Sequence, residues 1–333
     1  MPWEIFSGTG VPRASPDRAG RPAWENIPKP PPWRRGIDGS LSSAAPAPFQ
    51  VTERLREAVN AALHLRRPLL LTGPPGSGKS SLVELLAAEL ELGDVLRWHV
   101  TSRSILGETL FEYDALGRLH TTQVAKAVGG GAGDDMAVEH FVTLGALGTA
   151  LSSTKHPRAL LVDEIDKSDL DLPGDLLNVL ERGEFAIPPL VRDATTRAAQ
   201  TGEVPTYSVR GDDGGYYPVD GGVVHTRHFP VIIFTSNGER AFPPPFLRRC
   251  VQFSMPKPDA DFLSTVVAAH LGEAAAEGQR ELIQRFARQL AANKSLAVDQ
   301  LLNIVYLTLG PAAAGSVDRA KLEELILTEL SGR

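Results

Sequence analysis

The run Gly73-Pro74-Pro75-Gly76-Ser77-Gly78-Lys79-Ser80 constrains this chain more than any other stretch. It fits the phosphate-binding loop pattern G-x-x-x-x-G-K-[ST] without a mismatch, and its flanks suit it. Leu69-Leu70-Leu71-Thr72 ahead of it reads as a buried strand, and residues 81–90 behind it read as an amphipathic helix. Gly73, Gly76 and Gly78 permit backbone turns closed to residues with side chains, so consecutive N–H groups can face one anion. A helix starting near Lys79 and running on through Ser81 adds the positive end of its dipole. Lys79 brings a point charge to the β- and γ-phosphates, and Ser80 a hydroxyl ligand for Mg²⁺. The expected nucleotide contacts are therefore Gly73, Pro74, Pro75, Gly76, Ser77, Gly78, Lys79, Ser80 and Ser81.

Composition narrows the setting. The 333 residues allow two or three domains. No apolar run approaches the ~20 residues of a membrane span, and Met1-Pro2-Trp3-Glu4-Ile5-Phe6 lacks the character of a signal peptide. The single cysteine, Cys250, excludes an intrachain disulfide and a cysteine-cluster metal site. The default expectation is a cytoplasmic protein. A formal net charge of −6 argues against a dedicated nucleic-acid binder.

Residues 1–48 differ from the rest. They carry Pro28-Lys29-Pro30-Pro31-Pro32 and three of the four tryptophans, Trp3, Trp24 and Trp33. Two readings stand side by side: a solvated linker, or an extended arm whose aromatics dock on a globular surface. Beyond them, apolar spacing gives a helix over 52–64. Strands are expected at 95–100, 159–162, 230–235 and 250–254, with helices near 145–152 and 176–180. The stretch 103–157 reads as glycine-rich loop, with Gly129-Gly130-Gly131 expected to be mobile. Residues 187–228 mix proline, glycine, aromatic and β-branched residues around a hairpin or loop tip at 211–215. From 259 to 330 the pattern is helical. Strands alternating with helices imply a parallel α/β sheet, and the helical tail a separate small domain.

Ala159-Leu160-Leu161-Val162-Asp163-Glu164 is an apolar strand ending in two carboxylates. Ligands of open α/β sheets bind at the carboxyl ends of strands. That puts Asp163 beside the phosphate loop, holding the Mg²⁺ shell, and Glu164 in place to deprotonate the attacking water. Val231-Ile232-Ile233-Phe234-Thr235-Ser236-Asn237 is a second apolar strand with a polar end. Here the chain resembles the AAA+ ATPases, whose sensor-1 residue Asn237 matches. Phe246-Leu247-Arg248-Arg249-Cys250 is similar to the family segment carrying an arginine finger, with Arg249 the better match and Arg248 the second. The resemblance implies a P-loop AAA+ core, with a five-stranded parallel sheet and flanking helices, plus a small C-terminal all-α lid. It also implies a finger supplied across a subunit interface, so that assembly completes the site.

Two long spacings narrow the branch: about 84 residues from Lys79 to Asp163 and about 73 from Glu164 to Asn237. They fall where MoxR-type AAA+ proteins carry a helix-2 insert (about 103–157) and a pre-sensor-1 insert (about 187–228). The wording around Thr101–Gly107, Tyr113–Leu119, Thr143–Gly148, Asp163–Ser168 and Leu172–Phe185 resembles theirs. It is closest to the MoxR-like ATPases of bacterial NTP-dependent conflict systems. That resemblance implies a core over 49–255, a lid over 256–333, ATP and Mg²⁺ as ligands, a homo-oligomer of six, and a von Willebrand factor A-type partner in chaperone-like remodelling or activation of a client. One departure is that the stretch matching the family's sensor-2 arginine reads Lys294-Ser295-Leu296-Ala297-Val298, where a lysine offers charge without a bidentate fork.

Other patterns are weaker. His225 and His228 form H-x-x-H with no further ligands in view. Asp166, Asp169, Asp171 and Asp175 lack the spacing of a Ca²⁺ loop and read as a solvated acidic loop. Two alternatives to remodelling stay open: an AAA+ ATPase that handles nucleic acid, or a slow ATP-dependent switch.

Overall fold

The computed structural model describes residues 51–127, 137–292 and 296–309. The N-terminal arm, Gly129-Gly130-Gly131, Lys294, and the helical expectation beyond residue 309 lie outside the described residues. These fall into two compact units. The larger holds the described residues up to Gly73 and from Gly78 to Met255; the smaller holds Pro74–Ser77 and the described residues from Pro256 on.

A five-stranded parallel sheet organises the larger unit. Its strands are β1 (Leu69–Thr72), β2 (Leu96–His99), β5 (Ala159–Asp163), β10 (Val231–Ser236) and β11 (Val251–Ser254), in the order β11-β1-β10-β5-β2. All four pairings are parallel. β1, β5 and β10 are almost wholly apolar because both their faces are covered. Side-chain alternation divides them. Leu70, Leu160, Val162, Ile232 and Phe234 enter one core, while Leu69, Leu71, Ala159, Leu161 and Ile233 enter the other. Helix α1 (Glu53–Leu65), capped by the Thr52 hydroxyl, and helix α2 (Lys79–Glu89) cover the second face. In α2 the buried positions are 79, 82, 83, 86 and 87, one stripe at helical spacing.

The two long connections build a second sheet together. The first carries α3 (Leu106–Leu110), β3 (Phe111–Tyr113), α4 (Ala115–Ala127), β4 (Val142–Leu144) and α5 (Ala146–Leu151). Helix α6 (Leu172–Arg182) and β6 (Glu184–Ala186) lead into the second, which carries α7 (Pro188–Thr201), β7 (Thr206–Arg210), β8 (Tyr216–Asp220) and β9 (Val223–His225). The sheet order is β3-β4-β7-β8-β9-β6, and the two connections meet where Thr143 pairs with Arg210. The hairpin tip expected at 211–215 is there, between β7 and β8. Beyond the helix expected near 145–152, where α5 lies, the described residues of the loop-rich stretch 103–157 hold α3, α4, a 3-10 turn at Val138–Phe141 and two strands. Glycine there serves close packing: a Cβ on Gly148 would lie 1.8 Å from the Leu110 carbonyl oxygen. Helix α8 (Pro244–Arg249) precedes β11 and buries Phe246 against Phe234 and Phe242.

In the smaller unit, α9 (Ala260–Leu271), α10 (Glu273–Gly278), α11 (Arg280–Ala291) and α12 (Val298–Leu309) pack Leu263, Val267, Ile283, Phe286, Leu301 and Ile304 into one core. Asp259 caps α9 by accepting the Phe262 N–H at 2.8 Å. Among the described residues no helix is long and apolar enough to cross a membrane.

Candidate functional site

Strand register alone assembles the site. Thr72 at the end of β1 is level with Ser236 of β10, and His99 at the end of β2 is level with Asp163 of β5. Phe234 pairs with Val162, so Thr235 and Asp163 follow side by side. Adjacent strands lie about 4.8 Å apart. Gly73, Asn237, Glu164 and His99 therefore sit in a short row along the carboxyl edge of the sheet, where open α/β sheets bind ligands.

The loop after β1 has the backbone its glycines permit, with φ of 152° at Gly73, 74° at Gly76 and 84° at Gly78. A Cβ on Gly73 would come 2.8 Å from the Met255 Cβ, so no larger residue fits. Pro74, Pro75, Gly76 and Ser77 form the loop, Gly78 caps α2, and Lys79, Ser80 and Ser81 form the first turn of α2. Ser77 Oγ is buried without a hydrogen-bond partner among the described residues.

Lys79 is buried, 8% exposed. Its Nζ donates to the Gly73 carbonyl at 2.6 Å and to Asn237 Oδ1 at 2.9 Å. Burial pushes its pKa below the ordinary lysine value, while Asp163, Asp166 and Glu164 pull it back up. Asn237 Nδ2 donates in turn to Glu164 Oε1 at 3.3 Å. Lysine, asparagine and glutamate from three distant stretches thus form one chain of contacts.

Glu164 takes the left-handed conformation, φ 59° and ψ 45°, uncommon for a residue with a side chain. Thr235 holds it there: the Glu164 N–H donates to Thr235 Oγ1 at 2.9 Å, and that hydroxyl donates to Asp163 Oδ1. The other Glu164 oxygen accepts from Lys167 Nζ at 2.7 Å, a hydrogen bond that raises the Lys167 pKa. His99 Nε2 stands 3.5 Å from Glu164 Oε2, and its Nδ1 3.9 Å from Asp163 Oδ2.

Asp166 departs from the expectation of a solvated acidic loop. It is 3% exposed, and its Oδ2 accepts the N–H groups of Asn237 at 3.0 Å and Glu239 at 3.1 Å. His99 and Thr235 also neighbour the acids, although no motif announces them. Their only advance signal was their place at strand ends beside those acids, which becomes visible once the register is known.

Arg248 and Arg249 end α8, and both are exposed. Arg249 is held by both carboxylate oxygens of Glu181 on α6, not by the acids of the cluster. His225 Nδ1 lies 3.2 Å from Glu184 Oε2 on the neighbouring strand.

The donor set fits Mg²⁺. This cation takes one or two protein oxygens and completes its octahedron with phosphate oxygens and waters. Asp163 offers a partly exposed carboxylate and Ser80 a hydroxyl in the first turn of α2. A loop of positive-φ glycines ahead of a helix start, with a desolvated lysine, suits a polyphosphate.

A family model for the AAA domain (dynein-related subfamily) matches residues 68–250, from the foot of β1 to the end of α8. No curated protein matches the chain significantly. The match spans more than half of the chain and contains the lysine loop, the acid pair and the asparagine, and with it the chain belongs to the dynein-related AAA domain family.

Proposed function

We propose that this protein is a Mg²⁺-dependent ATPase that hydrolyses ATP to ADP and phosphate. The contact chain Lys79–Asn237–Glu164 carries the reading, because it brings a phosphate-binding cation, a polar orienting group and a general base within reach of one γ-phosphate. Lys79 stabilises charge on the β- and γ-phosphate oxygens. Asn237 orients the attacking water. Glu164 takes the water's proton as the new P–O bond forms and the bond to the ADP oxygen breaks. A bound Mg²⁺, held by Ser80 and Asp163, would neutralise charge on the phosphates. With ATP in place, Lys79 exchanges its Asn237 contact for phosphate oxygens. That frees the Asn237 amide for the water.

The same reading extends to MoxR type, in a cytoplasmic ring of six. Arg249, or Arg248 beside it, would reach the neighbouring subunit's phosphate after leaving Glu181. In this reading, residues 49–255 form the nucleotide-binding core and 256–333 the lid. A von Willebrand factor A-type protein is the proposed partner in remodelling or activating a client. Support comes from the two long connections between the lysine loop, the acids and the asparagine, which together fold as one second sheet.

The test is Glu164→Gln, assayed for ATP binding and steady-state turnover. Binding is expected to stay within about threefold of wild type while turnover falls about 10²-fold or more. Normal turnover would remove Glu164 from its role.

A further inference from the structure

We propose that Asp166 is the residue that positions the sensor against the base; this rests on the ATPase reading above. A carboxylate is costly to bury unless it is hydrogen-bonded. Asp166 directs one oxygen at two main-chain donors of a single turn, the N–H groups of Asn237 and Glu239. Gly238 between them has φ 80°, so the turn closes around that oxygen. The result fixes where the Asn237 side chain emerges, with its amide 3.3 Å from Glu164 and its oxygen 2.9 Å from Lys79 Nζ.

Asp166 is equally tied to Glu164. Both belong to one tight turn, since the 3-10 segment Ile165–Lys167 starts from Glu164 and the Lys167 N–H donates to the Glu164 carbonyl at 2.9 Å. A shift of the base therefore carries Asp166 with it, and Asp166 carries the sensor turn. Base and sensor move as one body, although 73 residues separate them in sequence. Asp166 need not touch the nucleotide to do this. A rival role exists: its negative charge acts on Lys79 through space and favours the ammonium form. The two roles depend on different properties, acceptor position for the first and charge for the second.

Substitution separates them. Asp166→Asn keeps an oxygen acceptor and loses the charge. Asp166→Ala loses both. If the acceptor position matters, Asp166→Asn keeps kcat within about threefold of wild type. Asp166→Ala then lowers kcat about tenfold or more while KM for ATP stays within about threefold, since small misplacements of reacting groups cost up to about 10²-fold. Amide hydrogen exchange reads the turn directly: the Asn237 and Glu239 N–H groups exchange about tenfold faster or more in Asp166→Ala, and not in Asp166→Asn. Wild-type kcat and exchange in Asp166→Ala would overturn the proposal. So would an Asp166→Asn variant as slow as Asp166→Ala, which would assign the role to charge. Should Asp166→Ala fail to fold, Asp166→Glu keeps the charge and displaces the acceptor; it is expected to be slow, and wild-type kcat there would likewise overturn the proposal. Absence of ATP turnover in the wild-type protein would remove the ATPase reading, while the exchange measurement would still decide whether Asp166 holds the turn.

Discussion

Thr235 serves both acids at once, donating its hydroxyl proton to Asp163 and accepting the N–H of Glu164. It is 1% exposed, so its hydroxyl sits away from bulk water. Thr235→Val keeps the shape and removes both, leaving the left-handed Glu164 N–H without a partner. The expected loss is about 1–3 kcal/mol of folding stability in urea unfolding. The catalytic candidates were legible at this scale because a motif places them: the lysine by its glycine loop, the acids and the asparagine by the polar ends of apolar strands. Thr235, His99 and Asp166 were not. Their roles follow from register between strands far apart in the chain, and an acidic residue after a strand gives no sign of its depth.

Among the elements, the β7–β8 hairpin is fastened to the foot of β5. Arg158, just before β5, donates to Asp213 Oδ2 at 2.6 Å, to Tyr217 OH at 2.8 Å and to the Asp94 carbonyl at 3.2 Å. Tyr217 OH also donates to Asp213 at 2.7 Å. Burial on its own would raise the Asp213 pKa, but Arg158, Tyr217 and the Gly215 N–H together hold it below the ordinary carboxylate value. A depressed folded pKa stabilises fully above the unfolded value of about 3.9 and is lost as pH falls through the folded one. Asp213→Asn leaves the Arg158 guanidinium buried without its counter-charge and is expected to cost about 3 kcal/mol at neutral pH. The variant's unfolding free energy should also fall less steeply than wild type as pH drops below about 4, measured by urea unfolding across pH. Strands β1, β5 and β10 of the main sheet were legible as apolar runs between turns. Helix α7 was not, because Pro188-Pro189 suggests a loop although proline suits a first helical turn. Its buried stripe, Pro189, Leu190 and Ala194, is too thin to register as a helical period.

For the whole molecule, assembly turns on Arg249, which the single chain keeps on Glu181. If it completes a neighbour's site, Glu164→Gln subunits and Arg249→Ala subunits are each inactive alone but complement when mixed. Such a mixture contains interfaces where an intact Glu164 meets an intact Arg249. Turnover is expected to recover to about a quarter of wild type under random mixing of a head-to-tail ring. The AAA+ core and its five-stranded sheet were legible because the loop, acids and strands keep fixed local patterns. The second sheet was not, since its two halves belong to separate connections and pair only in space. Whether Glu164 and Asn237 act on one phosphoryl group, as proposed, is decided by a double-mutant cycle. Single-turnover ATP hydrolysis would be measured in wild type, Glu164→Gln, Asn237→Ala and the double variant. Groups that work as a unit lose little more together than the worse one alone, so the double variant is expected within about threefold of the slower single. Losses that multiply as independent factors would contradict the claim.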